Sequence, residues 1–213
     1  NVTGTLNILD LCRRHQINKF VLASTSSVYG EGPRPYREDA CTDYPVSPYA
    51  ASKKAAEVQS YAYHHLHGID VSVLRFFTVY GPRQRPDLAI HKFARLLREG
   101  RSIPMFGDGS TERDYTYIDD ILQGIHASID LLQRSEPVFE IVNLGESRTV
   151  SLREMIQVLG EEMGVEPVVE QKPMQPGDVL RTYADVSRAG ALLGYLPSVD
   201  FREGVRGSLE WFN

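Results

Sequence analysis

The stretch Val71-Ser72-Val73-Leu74-Arg75-Phe76-Phe77 is nearly continuous in apolar and β-branched residues. Strands covered on both faces read this way, whereas half-exposed strands alternate. Just upstream, Ser47-Pro48 offers a hydroxyl cap and a first-turn proline, and Gly68 offers a stop, so residues 48–67 are predicted helical. Further back, Phe20-Val21-Leu22-Ala23 reads as a second strand. Leu6, Ile8, Leu9 and Leu11 give residues 3–15 an apolar face at roughly helical spacing. Helix, strand, helix, strand in this order implies a parallel sheet with helices on its faces. The intervening segment from Thr25 to Ser47 is rich in Pro and Gly, and loops this long in compact domains are usually functional or disordered.

Downstream of Gly81-Pro82 the pattern changes. A helix is predicted from Asp87 to Glu99. A hairpin is predicted from Ile103–Phe106 and Arg113–Tyr117 around Gly107-Asp108-Gly109. Another helix starts near Asp119, and Phe139–Asn143 reads as a strand. Ser151-Leu152-Arg153-Glu154 is a capping box opening a helix that ends at Gly164, and a last helix covers 201–212. The second half therefore reads as a smaller α/β lobe packed on the sheet.

Composition narrows the function classes. The chain has 213 residues, 42% hydrophobic and 24% charged, with a formal net charge of -5. That charge gives no bulk attraction to nucleic acid or an anionic membrane, and an anionic substrate would need a locally basic pocket. No apolar run approaches the roughly 20 residues of a membrane span, and no signal peptide opens the chain. Cys12 and Cys41 lack metal-type or CxxC spacing, which fits a reducing, cytoplasmic setting. His64, His65 and His67 point to different faces of one helix end, so no metal site is expected.

Tyr49-Ala50-Ala51-Ser52-Lys53 puts a phenol and an ammonium on one helix face, one turn apart. A free phenol is a poor base near neutrality, and a neighbouring ammonium favours its ionised form, so the pair can take a proton from a sugar hydroxyl. The spacing alone also suits a packed Tyr beside a solvated Lys. Ser24-Thr25-Ser26-Ser27-Val28-Tyr29-Gly30 follows the first strand, and Arg75-Phe76-Phe77-Thr78-Val79-Tyr80-Gly81-Pro82-Arg83-Gln84-Arg85-Pro86-Asp87 follows the next. Ligands of open α/β sheets bind at such carboxyl ends. Two successive strand ends and the helix between them describe one crevice.

Together, Ser24–Gly30, Tyr49–Lys53, Arg75–Pro82 and Arg113–Asp120 resemble the extended short-chain dehydrogenase/reductase family of NAD-dependent sugar-nucleotide epimerases and dehydratases, as does Asn1–Leu9. The resemblance covers essentially the whole chain. It implies the C-terminal part of a Rossmann-type parallel sheet with a smaller α/β substrate-binding lobe. Residues 1–86 would be the remainder of the NAD-binding domain, and 87–213 mainly the nucleotide-sugar lobe, with some segments returning to the sheet. Thr25, Tyr49 and Lys53 take the catalytic positions, with Tyr49, Lys53 and Phe76 also against the cofactor NAD. Tyr49 would deprotonate the C4 hydroxyl, Thr25 would orient it, and Lys53 would hold the nicotinamide ribose. A homodimer through residues 3–15 and 48–67 is also implied.

Within the family, dehydratases carry Asp-Glu directly after the catalytic Thr and decarboxylases usually a Glu two residues after it. Here Ser26 and Ser27 stand there, which argues for epimerisation. The run through Phe76-Phe77-Thr78 to Arg85-Pro86-Asp87 looks most like UDP-glucuronate 4-epimerases; UDP-glucose epimerisation, decarboxylation and dehydration remain alternatives. Ser26, Ser27, Thr78 and Arg85 would bind the sugar carboxylate, although Arg85 also suits a plain surface loop. Arg113 matches the diphosphate contact, or alternatively a pair with Asp114 or Glu112, and Asp178 matches a ribose contact. Gln175 stands where many relatives have Arg, leaving Arg181 as a possible substitute.

No Gly-x-Gly-x-x-Gly turn, and no family-like Gly-x-x-Gly-x-x-Gly before a helix, occurs in the chain. The expectation is that Asn1 begins inside a longer protein, with about three βα units, on the order of 90–100 residues, upstream. The chain alone is then expected to be inactive. A non-catalytic remnant that binds UDP-sugar or only self-associates is the alternative to an enzyme.

Overall fold

The computed structural model describes residues 1–174 and 179–212. The chain opens with α1 (Val2–Arg14), β1 (Lys19–Thr25), a short 3-10 turn (Ser26–Tyr29), α2 (Pro48–His67), β2 (Asp70–Phe76) and β3 (Thr78–Tyr80). It continues with α3 (Ala89–Arg98), β4 (Ile103–Phe106), β5 (Glu112–Arg113), β6 (Tyr115–Tyr117), α4 (Ile118–Leu131) and β7 (Phe139–Leu144). It ends with β8 (Val150–Ser151), α5 (Leu152–Met163), β9 (Val169–Lys172), α6 (Ser187–Leu193) and α7 (Phe201–Phe212).

The ends of α2 are set by local chemistry. The Ser47 hydroxyl accepts the Ala50 amide at 3.1 Å, Pro48 lies in the first turn, and Gly68 closes the helix at φ 64. Ser151 likewise accepts the Glu154 amide at 3.1 Å to start α5. The helix predicted from Asp87 starts later, at Ala89: Leu88 is extended (φ -79, ψ 151), and the Asp87 carboxylate accepts from Arg85 rather than capping the helix. The Gln84 side chain accepts the His91 amide instead, at 3.2 Å.

The central sheet has the order β1-β2-β7, all parallel. α1 and α2 cover one face around Cys12, Leu22, Ala56, Val71 and Val73; α4 and α6 cover the other around Leu74, Ile121, Val142 and Ala189. Covering on both faces is why β2 is apolar along its length. Ser24, Arg75 and Asn143 lie in register across the three strands, and so do Thr25, Phe76 and Leu144 one step later.

The predicted hairpin does not form. β4 pairs parallel with β9, β5 antiparallel with β8, and β6 parallel with β3. Gly107 (φ 71) and Gly109 (φ 82) do turn the chain, and the Asp108 carboxylate accepts the Ser110 amide at 2.9 Å. The two limbs then separate, because Asp114 is drawn to the 146–147 loop and to Ala184. The larger apolar cluster, including Tyr80, Phe93, Leu97, Ile103, Met155, Leu159, Phe201 and Val205, joins α3, α5 and α7 beneath these short strands. No helix among the described residues is long and apolar enough to cross a membrane.

Candidate active site

Thr25 is the last residue of β1 and caps the turn that follows. Its Oγ1 accepts the Ser27 amide at 3.2 Å, and its hydroxyl donates to Ser27 Oγ at 3.2 Å. Thr25 is buried, Ser26 half-buried and Ser27 exposed. α2 packs against this turn and brings Tyr49 and Lys53 on its first turns. The Lys53 ammonium donates to the Ala23 carbonyl at 2.7 Å, tying the helix to β1 two residues before Thr25. Tyr49 is 51% exposed, so its phenol is open to a ligand. Phe76 is the register neighbour of Thr25 on β2.

The short strands set Thr78 opposite Tyr115, two residues after Arg113. The Thr78 amide donates to the Asp114 carbonyl at 3.0 Å, so Arg113 is next to the residue that holds Thr78. Arg113 donates to the Glu112 carbonyl at 3.0 Å. The Glu112 carboxylate is bonded elsewhere, by Arg181 at 2.8 Å and by the Thr149 hydroxyl at 2.7 Å. Arg181 also lies over the Tyr183 ring, so its charge is already engaged in this structure. Asp178 and Gln175 lie outside the described residues.

Arg85 stands apart. It is largely exposed, pairs with Asp87 at 3.0 Å, and lines a hollow of about 180 Å³ with Tyr80, Pro82, Gln84, Leu88 and Ile118. Thr25, Ser26, Ser27 and Thr78 do not line that hollow. His64 Nδ1 lies 2.9 Å from the Ile69 carbonyl at the end of α2. Among the described residues no group of three or more His, Cys, Asp or Glu could hold a metal ion.

Several buried polar groups, some of them inside the motifs, had no role assigned from the sequence. Glu57 and Arg75, each 2% exposed at the side chain, form a two-pronged pair at 3.0 and 2.8 Å. Burial works to raise the Glu57 carboxyl, but Arg75 and Ser24 outweigh it and hold it below the usual range. Burial pushes the Tyr29 phenol up to about 12 even though Arg75 opposes it. Asp114 is fully buried and accepts amides from Glu146, Ser147 and Ala184; burial nevertheless pushes its carboxyl up to about 6. Burial, Asp120 and Asp114 push Glu146 up to about 7. The available signal was a charge inside an apolar or small-residue run: Arg75 between Leu74 and Phe76, and Glu57 after Ala55-Ala56.

Comparison with known proteins follows the same lines. Residues 1–145 match the NAD dependent epimerase/dehydratase family. A UDP-glucuronate 4-epimerase of Thermodesulfobacterium geofontis is 44% identical over 99% of this chain and 64% of its own length. A Bacillus cereus UDP-glucuronic acid 4-epimerase, solved with UDP-glucuronic acid and NAD, superposes with a TM-score of 0.92 at 34% identity, covering 99% of this chain and 66% of that one. A Methanobrevibacter ruminantium UDP-N-acetylglucosamine 4-epimerase, solved with UDP-N-acetylmuramic acid, superposes with a TM-score of 0.91 at 28% identity, covering all of this chain and 68% of that one. The chain thus spans 64% of the length of the first of these relatives.

Proposed function

The chain belongs to the NAD dependent epimerase/dehydratase family, and from that premise we propose that the protein carrying it epimerises UDP-glucuronate to UDP-galacturonate at C4. The observation that carries this reading is the Lys53–Ala23 bond, which sets the helix of Tyr49 and Lys53 against the strand end of Thr25. Ser26 and Ser27, following Thr25, have no carboxyl to drive water elimination.

The residues present fit the nicotinamide-ribose end of NAD: the Lys53 ammonium spends one donor on Ala23 and has two more for ribose hydroxyls. Bound NAD would supply the acceptor for the C4 hydride and its return. Tyr49 Oη then takes the C4 hydroxyl proton and later gives it back, while Thr25 Oγ1 orients that hydroxyl. The 4-keto sugar formed in between is a β-keto acid and tends to lose carbon dioxide. Ser26, Ser27, Thr78 and Arg85 are proposed to hold its carboxylate, and Arg113 and Asp178 the UDP. For Arg85 this requires leaving both Asp87 and the hollow beside Ile118, which Ser26, Ser27 and Thr78 do not line.

In this reading residues 1–86 complete the NAD-binding unit and 87–213 form mainly the substrate lobe. α1 and α2 pair with a second copy; the exposure of Leu6, Ile8 and Leu11 on α1 and of Val58, Tyr61 and Leu66 on α2 supports that pairing. Incubating the whole protein with NAD and UDP-glucuronate is the test. UDP-galacturonate is the expected product; its absence would sink the reading, and carbon dioxide release would point to a decarboxylase.

A further inference from the structure

Ser24, Arg75 and Asn143 form a buried polar row across the sheet, one step before its carboxyl ends. Arg75 grips both oxygens of Glu57 on α2, at 3.0 and 2.8 Å, and Ser24 donates to the same carboxylate at 2.5 Å. The Arg75 guanidinium lies over the Tyr29 ring at 4.8 Å, and the Tyr29 hydroxyl donates to Asn143 Oδ1 at 2.6 Å. One cluster therefore links all three strands, α2 and the turn after Thr25.

A buried ion pair is often no more stabilising than apolar side chains of equal volume. What it adds is direction, because a forked guanidinium–carboxylate contact fixes both partners whereas apolar packing does not. The direction matters here. Lys53 and Glu57 are one turn apart on one face of α2. Lys53 holds the Ala23 carbonyl and Glu57 holds the Ser24 hydroxyl, and Thr25 is the next residue. Sliding α2 along β1 would break both contacts together.

We propose that the Glu57–Arg75 pair is a positioning device that fixes α2 on β1, so that Tyr49 and Lys53 are held in register with Thr25. This rests on the reading that those three residues form the reaction site. Glu57 and Arg75 touch no substrate in this account; they act through Ser24, Ala23 and Lys53.

The test compares Ser24→Ala, Glu57→Gln and the apolar double variant Glu57→Leu/Arg75→Met in the whole protein. Glu57→Gln should lower kcat roughly tenfold to a hundredfold, the scale of a small misplacement, with KM for the UDP-sugar unchanged. The double variant should regain the parent's thermal midpoint without regaining kcat. Independently of turnover, limiting acetylation read by peptide mass spectrometry should label Lys53 several-fold faster relative to Lys172 in Glu57→Gln and the double variant, and less so in Ser24→Ala. Recovered kcat in the double variant, or unchanged Lys53 labelling in every folded variant, would overturn the proposal. If the parent protein converts no UDP-sugar, the functional reading fails, and the labelling ratio alone decides the positioning role.

Discussion

The Asp114 carboxylate accepts the backbone amide of Ala184 at 3.0 Å, across seventy residues of sequence. It also accepts the amides of Glu146 and Ser147 at 2.7 and 3.2 Å, and the Asp114 amide donates to Thr182 Oγ1. One side chain thus closes the junction between the strand that follows Arg113 and two loops.

Removing that side chain strands the three amides. Asp114→Ala is expected to lower unfolding free energy by about 3 kcal/mol, at the upper end for buried donors left unpaired. Urea unfolding followed by circular dichroism measures it, and an unchanged midpoint would show that the junction contributes nothing.

Asp114 and Glu146 both have raised carboxyls, at about 6 and about 7 against ordinary values of 3.8 and 4.5. Each folded group holds its proton more tightly than the unfolded group. The stability each contributes is therefore full below its ordinary value and lost as pH rises through 6 for Asp114 and 7 for Glu146. Glu57 has the opposite sign: its carboxyl is held low, so its contribution is present above the ordinary value and lost as pH falls. Glu146→Gln should flatten the decline between pH 4.5 and 7 in a pH series of unfolding measurements. An unaltered profile would show that Glu146 titrates normally.

Tyr49→Phe keeps the ring and deletes the proton acceptor. In the whole protein it should reduce kcat by about 10²- to 10⁴-fold, the usual contribution of a positioned acid–base group. Binding of NAD and UDP-sugar, measured by calorimetry, should be little changed. Near-parental kcat would remove Tyr49 from the reaction.

Arg85→Met tests whether that exposed arginine reaches the sugar carboxylate. The loss of a charged hydrogen bond, roughly 1.5–3 kcal/mol, should weaken UDP-glucuronate binding by about tenfold or more and leave UDP-glucose binding unaffected. Equal effects on both sugars would mean that Arg85 does not read the carboxylate.

Much of the first half was legible because its signals are local. Ser47, Pro48 and Gly68 bound α2, and the both-faces-covered pattern of Val71–Phe77 gave a parallel strand. In the second half the strands at Ile103–Phe106 and within Arg113–Tyr117 were legible, but their pairing was not. The turn at Gly107 to Gly109 has hairpin chemistry, but the partners of β4 and β5 come from residues far along the chain, and nothing local encodes them. The same division holds at the candidate site. Tyr49 and Lys53 stood out as candidates by their spacing and Thr25 by the family resemblance, whereas the contacts of Glu57, Arg75 and Asp114 depend on which strands become neighbours.

The pairing of β4 with β9 also bears on how the chain is made. During synthesis Ile103–Phe106 emerges long before Val169–Lys172, and until then its edge stays open to other chains. The strands β1 and β2, with α1 and α2, have all emerged by that time and can already pack. The second lobe is thus the late and aggregation-exposed part of folding, and a ribosome stalled before residue 169 would leave the edge of β4 bare.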